Sequence, residues 1–162
     1  MKKISMFGLA VFVGFGFAGC GEQDPRTFEY FKNNPDIAKE RVAECKKMER
    51  MSEKTKEDCQ NAQSAISRYE AEISKHIANA KTALSDFAAY HTWQGKFDSA
   101  EKMTHVSLPI KVKDSVCVEF FTKNKDEIEV KVNKDVKECE FIAKQAKLPQ
   151  VISSSDWGKV SF

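Results

Sequence analysis

AQSAISRYEAEISKHIANAKTALSDF, residues 62 to 87, decides the fold. Its apolar residues Ala62, Ile66, Tyr69, Ile73, Ile77, Ala80, Leu84 and Phe87 recur at steps of three and four, the spacing that puts side chains on one side of an α-helix. The stripe reads as a buried face and not as a cofactor box. Extended in both directions, the helix runs from Lys56 to Tyr90. Thr55 followed by Glu57 and Asp58 announces its start, and Gly95 ends it. At 1.5 Å per residue it spans about 50 Å. A helix with a single apolar stripe needs a second layer to cover it.

That layer follows in the chain, where the period changes from 3.6 to two. Val106–Val112, Ser115–Phe121 and Glu127–Val132 alternate as strands, and Lys123-Asn124-Lys125-Asp126 forms a hairpin turn. The expected arrangement is an antiparallel sheet packed on one face of the long helix. A short helix over Glu138–Lys147 and a final strand near Trp157–Phe162 complete the count. Upstream, Asn34-Pro35-Asp36 is a helix start, with Asn as N-cap, proline in the first turn and an acid near the positive end of the dipole. A helix from Pro35 to about Met48 buries Ile37, Val42 and Cys45 and turns Lys39, Glu40, Glu44 and Lys46 to water. Ser52–Lys56 connects it to the long helix. The fold class is therefore α+β: a disulfide-clasped helical hairpin leading into a long helix packed on a small antiparallel sheet. There is no internal repeat and no low-complexity segment.

The first residues are an address. Lys2 and Lys3, the apolar run Ile4–Phe17 and the small residues Ala18-Gly19 make a three-part secretory signal. The run is short for a bilayer-spanning helix, which takes about 20 apolar residues. Its ending Phe17-Ala18-Gly19-Cys20 has the lipobox pattern, so residues 1–19 are expected to be cleaved and Cys20 to carry covalent lipid, palmitate among its acyl chains. A multiply acylated cysteine anchors a protein stably, since each buried methylene contributes about 0.8 kcal/mol. Gly21 replaces the aspartate that favours inner-membrane retention, which points to the outer membrane. Residues 20–26, polar with Pro25, form a tether.

The whole chain has 26 Lys+Arg and 24 Asp+Glu, and loss of Lys2 and Lys3 with the signal leaves 24 of each. A neutral body has no basic field to draw in nucleic acid. Small exported bodies bury proportionally little surface and are often reinforced by disulfides. Beyond Cys20 there are four cysteines, which allow three pairings. They fall in two clusters, so Cys45–Cys59 and Cys117–Cys139 are the expected bonds. A zinc site is the competing reading, but there is no CxxC and the histidines lie far from the cysteines in sequence.

Catalysis needs converging groups, and few are visible. His76 sits at the edge of the apolar stripe. His91 and His105 flank the loop around Gly95, where a metal pair is the alternative to two surface histidines. No Gly-x-Ser-x-Gly, HExxH or phosphate-cradling loop occurs. The expectation is a protein that is not an enzyme, with no metal, no cofactor beyond the lipid and no small-molecule substrate. Phe28, Tyr30 and Phe31 are candidate partner-binding residues, either an exposed anchor or a staple packed on the hairpin. Trp93 and Trp157 carry the same two readings.

Two resemblances accompany these patterns. The lipobox, Phe28-Glu29-Tyr30-Phe31, Asn34-Pro35, the charged helix to Cys45 and Asp58-Cys59-Gln60-Asn61-Ala62 resemble the EexN family of entry-exclusion lipoproteins of conjugative plasmids. This likeness covers residues 1–66 and implies an EexN-like hairpin over 27–66, limitation of redundant DNA transfer, and a partner in a type IV secretion apparatus. Members of that family usually stop soon after the second cysteine, whereas this chain continues. Residues 67–162 are similar to the globular part of type IV pilins and pseudopilins, in which a helical spine packs on an antiparallel sheet closed by a C-terminal disulfide. The prepilin N-terminus is absent. This second likeness implies the alternative, a structural or accessory lipoprotein of a secretion or pilus apparatus.

Overall fold

The computed structural model describes residues 24–156, so the signal, Cys20 and the strand expected near Trp157–Phe162 lie outside the described residues. The elements in chain order are α1 (Phe28–Asn33), α2 (Pro35–Cys45), α3 (Glu53–Gln94), α4 (Ala100–Met103), β1 (Ile110–Val112), β2 (Ser115–Asn124), β3 (Glu127–Val132), α5 (Lys137–Gln145) and β4 (Val151–Ser153), followed by a 3₁₀ turn at Ser154–Asp156.

The long helix α3 has 42 residues, about 63 Å at the usual rise. It exceeds the expected span because its caps lie further out. Ser52 Oγ accepts from the Thr55 N–H at 3.2 Å and starts the helix ahead of Lys56. Gly95 ends it in the left-handed region at φ 66°, its N–H donating to the His91 carbonyl at 2.8 Å. Of the expected stripe, Ala62, Ile66, Ile73, Ala80, Leu84 and Phe87 are buried, and Tyr69 and Ile77 are partly buried against the same core.

Two clusters of buried side chains hang on this one helix. Near its start, Ala62, Ala65 and Ile66 meet Phe31 and Ala38, with Phe28 and Val42 at the margin. The three alanines let backbones approach closely. Further along, Ile73, Leu84 and Phe87 meet the inward face of the sheet through Ile110, Val118, Phe120, Ile128, Val130 and Ile152. Phe87 packs edge-on to Phe120 with ring centroids 5.1 Å apart. The sheet has strand order β1-β2-β3-β4 with antiparallel neighbours.

Both disulfides are the expected ones. Cys45–Cys59 clasps α2 to α3, and Cys117–Cys139 ties α5 to β2. Because these sulfurs are bonded to each other, they are not the thiolate ligands that a zinc site needs.

Several local expectations need correction. Ile37 is 36% exposed while Ala38 takes its place in the core, because close helix packing admits the smaller side chain. Asn34 does not cap α2 with its side chain, which instead donates to the Tyr30 carbonyl at 2.8 Å; its own carbonyl accepts from the Ala38 N–H at 3.0 Å. Residues 28–33 form a helix of their own, capped by Thr27. Pairing in β1 begins only at Ile110, after Pro109, which has no N–H to offer a ladder. The sheet also has a fourth strand, Val151–Ser153, that the sequence reading does not expect.

Candidate functional site

The hairpin end of the molecule is organised around Asp58, the buried charged residue among the described residues. Helix periodicity turns it towards the chain that arrives from Cys20. Arg26 donates its backbone N–H to Asp58 Oδ1 at 2.7 Å, its Nε to the same oxygen at 3.0 Å and its Nη2 to Oδ2 at 2.8 Å. Arg41 Nε, from α2, reaches Oδ2 at 2.6 Å. Asn61 Nδ2 donates to the Arg26 carbonyl at 2.9 Å, so both backbone polar groups of Arg26 are engaged. Burial pushes the Asp58 carboxyl up, and the bonds from Arg26 and Arg41 more than offset it, holding the group down at about 2. The same bond to Asp58 raises the Arg26 guanidinium. Here the segment before α1 is fixed to α2 and α3.

The three candidate aromatic residues separate. Phe31 is completely buried, beneath the Arg26 guanidinium at 4.7 Å from its ring centroid. Phe28 packs at the cluster's margin. Tyr30 remains 40% exposed, set edge-on to Phe31 at 5.5 Å. Two of the three are therefore staple residues, and one is presented to solvent.

Where the hairpin meets the second half, a groove of about 660 Å³ opens between α2, α3 and α5. Ile73 and Ile77 line it, Phe141 stands half exposed beside it, and Asp36, Lys39, Lys137 and Glu138 are among its charged lining. Tyr69 bridges the elements: its hydroxyl donates to Glu138 Oε1 at 3.3 Å, and Lys39 Nζ lies 5.3 Å from its ring centroid. Burial, reinforced by Glu138, pushes the Tyr69 hydroxyl up to about 12, so it stays a donor at any physiological pH. An apolar strip edged by both signs of charge is suited to a protein segment.

The histidines do not converge. His76 lies beside Glu72 at 3.8 Å. His91 packs on the Phe97 ring at 4.6 Å, with Nε2 buried 3.7 Å from Asp126 Oδ1. His105 lies against Asp86 at 3.0 Å. Among the described residues no group of three or more His, Cys, Asp or Glu is placed to hold a metal ion, and no helix is long and apolar enough to cross a membrane.

Sequence reasoning reads Asp58 as a helix-start acid and places it with Asn61 in the EexN-like motif, but predicts no contact among Asp58, Asn61, Arg26 and Arg41. Arg26 and Asp58 are 32 positions apart, and no periodic signal in the sequence could pair them. Comparison with family models, curated proteins and solved structures gives no match.

Proposed function

We propose that this chain is an envelope lipoprotein, anchored through lipid on Cys20, most consistent with the outer membrane, that acts in entry exclusion by binding a type IV secretion component and limiting redundant DNA transfer. The observation that carries this reading is the joint role of the motif residues in the hairpin. Asp58, Cys59, Asn61 and Ala62 each make a different contact there: a carboxylate for two arginines, a disulfide to Cys45, a hydrogen bond to the Arg26 carbonyl and a close-packed core position. Together they fasten a lipid-bearing tether to a small rigid head. Tyr30 and the groove beside Phe141 are the surfaces offered to a protein partner. The chain works by binding and not by catalysis, with no nucleic acid or small-molecule substrate of its own. Expression of the protein alone in recipient cells tests this: transconjugants from a donor carrying the same element fall, and unchanged transfer rejects the reading.

A second reading is supported by the long helix on a four-stranded antiparallel sheet closed by Cys117–Cys139. It makes the protein a structural lipoprotein of a secretion or pilus apparatus. Deletion in the donor then abolishes transfer or export while recipient behaviour is unchanged.

A further inference from the structure

The two disulfides differ in how far a reductant can reach them. Cys117 and Cys139 are 1% and 0% exposed, enclosed in the larger core. Cys45, the last residue of α2, is 9% exposed, and Cys59, in the second turn of α3, is half-buried. Met51 Sδ lies 3.9 Å from the Cys59 sulfur, on a connector whose residues 46–52 are exposed or half-buried. The bonds also differ in what they hold. Cys117–Cys139 joins β2 to α5 inside a cluster of nineteen buried residues, whereas the cluster beside Cys45–Cys59 has five, three of them alanine. Helices of six and eleven residues are marginal without packing or a crosslink. The ion pairs at Asp58 do not replace the clasp, since Asp58 adjoins Cys59 and Arg41 lies one turn before Cys45, so all of them hold the same joint.

We propose that Cys45–Cys59 is a redox-controlled clasp: a dithiol reductant opens it in preference to Cys117–Cys139 and loosens α1 and α2 from α3, while the sheet and the helices packed on it stay folded. One thiol of the reductant, as its thiolate, attacks Cys59 Sγ; the sulfur–sulfur bond breaks, and Cys45 leaves as a thiolate that takes up a proton. The second thiol then displaces Cys59, which is protonated in turn. Two electrons and two protons pass to the protein's cysteines, and the reductant becomes a disulfide. Tyr30 stands on α1, and Pro35, Asp36 and Lys39 of α2 line one side of the groove beside Phe141. Opening the clasp therefore dismantles both surfaces offered to a protein partner. That consequence rests on the binding reading above; the release of the helices does not.

The test incubates the oxidised full chain with graded dithiothreitol, without denaturant. Freed thiols are alkylated and mapped by mass spectrometry, and hydrogen exchange is followed on the same samples. Cys45 and Cys59 are labelled roughly tenfold faster, or more, than Cys117 and Cys139. In the species with only the first pair open, exchange in α1 and α2 rises by about a hundredfold, the loss of one loop constraint, while β2 and β3 keep their protection. Simultaneous opening of both pairs, earlier labelling of Cys117 and Cys139, or unchanged exchange in α1 and α2 once the first pair is open overturns the proposal. These readouts involve no partner, so a mating assay that rejects entry exclusion leaves the clasp standing, and a clasp that fails here leaves entry exclusion to the mating assay.

Discussion

Arg26 binds Asp58 through its main chain and its side chain together, at 2.7 Å from the backbone N–H and at 3.0 and 2.8 Å from the guanidinium. Removing the carboxylate leaves Arg41, a mostly buried cation, with Glu44 at 3.0 Å as its remaining ion-pair partner among the described residues, and strips Arg26 of its own. Breaking a buried pair on one side costs about 3 kcal/mol. Asp58→Ala is therefore expected to lower unfolding free energy by about that amount in urea melts, and to expose the Arg26 peptide bond to trypsin in the native state.

Acid sensitivity follows from the same carboxylate. Its folded pKa of about 2 lies below the ordinary 3.8, so the unfolded chain takes up the proton first as pH falls. The stabilisation is fully present above about pH 4 and is lost as pH drops through about 2; it amounts to roughly 2 kcal/mol. Urea midpoints measured across that window decline in the parent, and the part of the decline due to this group is missing in Asp58→Asn.

Each disulfide is expected to contribute about 3 kcal/mol by restricting the unfolded chain. The two differ in surroundings: Cys117 and Cys139 belong to the larger core, whereas Cys45 and Cys59 lie at the hairpin's end. Replacing Cys45 and Cys59 together by serine should raise hydrogen exchange in α1 and α2 while the sheet keeps its protection. The same replacement at Cys117 and Cys139 should lower the melting temperature of the whole body.

At Gly95 the cause is backbone alone. An added Cβ would meet nothing within 4 Å, yet φ is 66°. Gly95→Ala should therefore cost about 1 kcal/mol through the left-handed conformation, and Gly95→Asn less, since asparagine tolerates that region. Thermal melts of the two variants check the order.

The large features of this fold were legible because they repeat. A stripe of eight side chains outlines α3, alternation outlines β2 and β3, and clustering of the cysteines pairs them. What was not legible depends on single contacts between distant residues. The exposure of Ile37 follows from how closely α2 approaches α3, and the neighbouring alanine gives no warning of it in a period of 3.6. Helix α1 is too short to show any period. The split among Phe28, Tyr30 and Phe31 follows from that helix, which turns adjacent residues in different directions. At the hairpin, the motif Asp58 to Ala62 marked the right place, but the arginines that complete it come from separate segments with nothing in common except charge.

Because α3 passes unbroken through both buried clusters, the molecule works as a lever. A tilt of roughly 10° about one end of a rod about 63 Å long sweeps the other end through about 11 Å. A small rotation at the hairpin would thus decide where the far end of α3 lies, with no rearrangement inside the body.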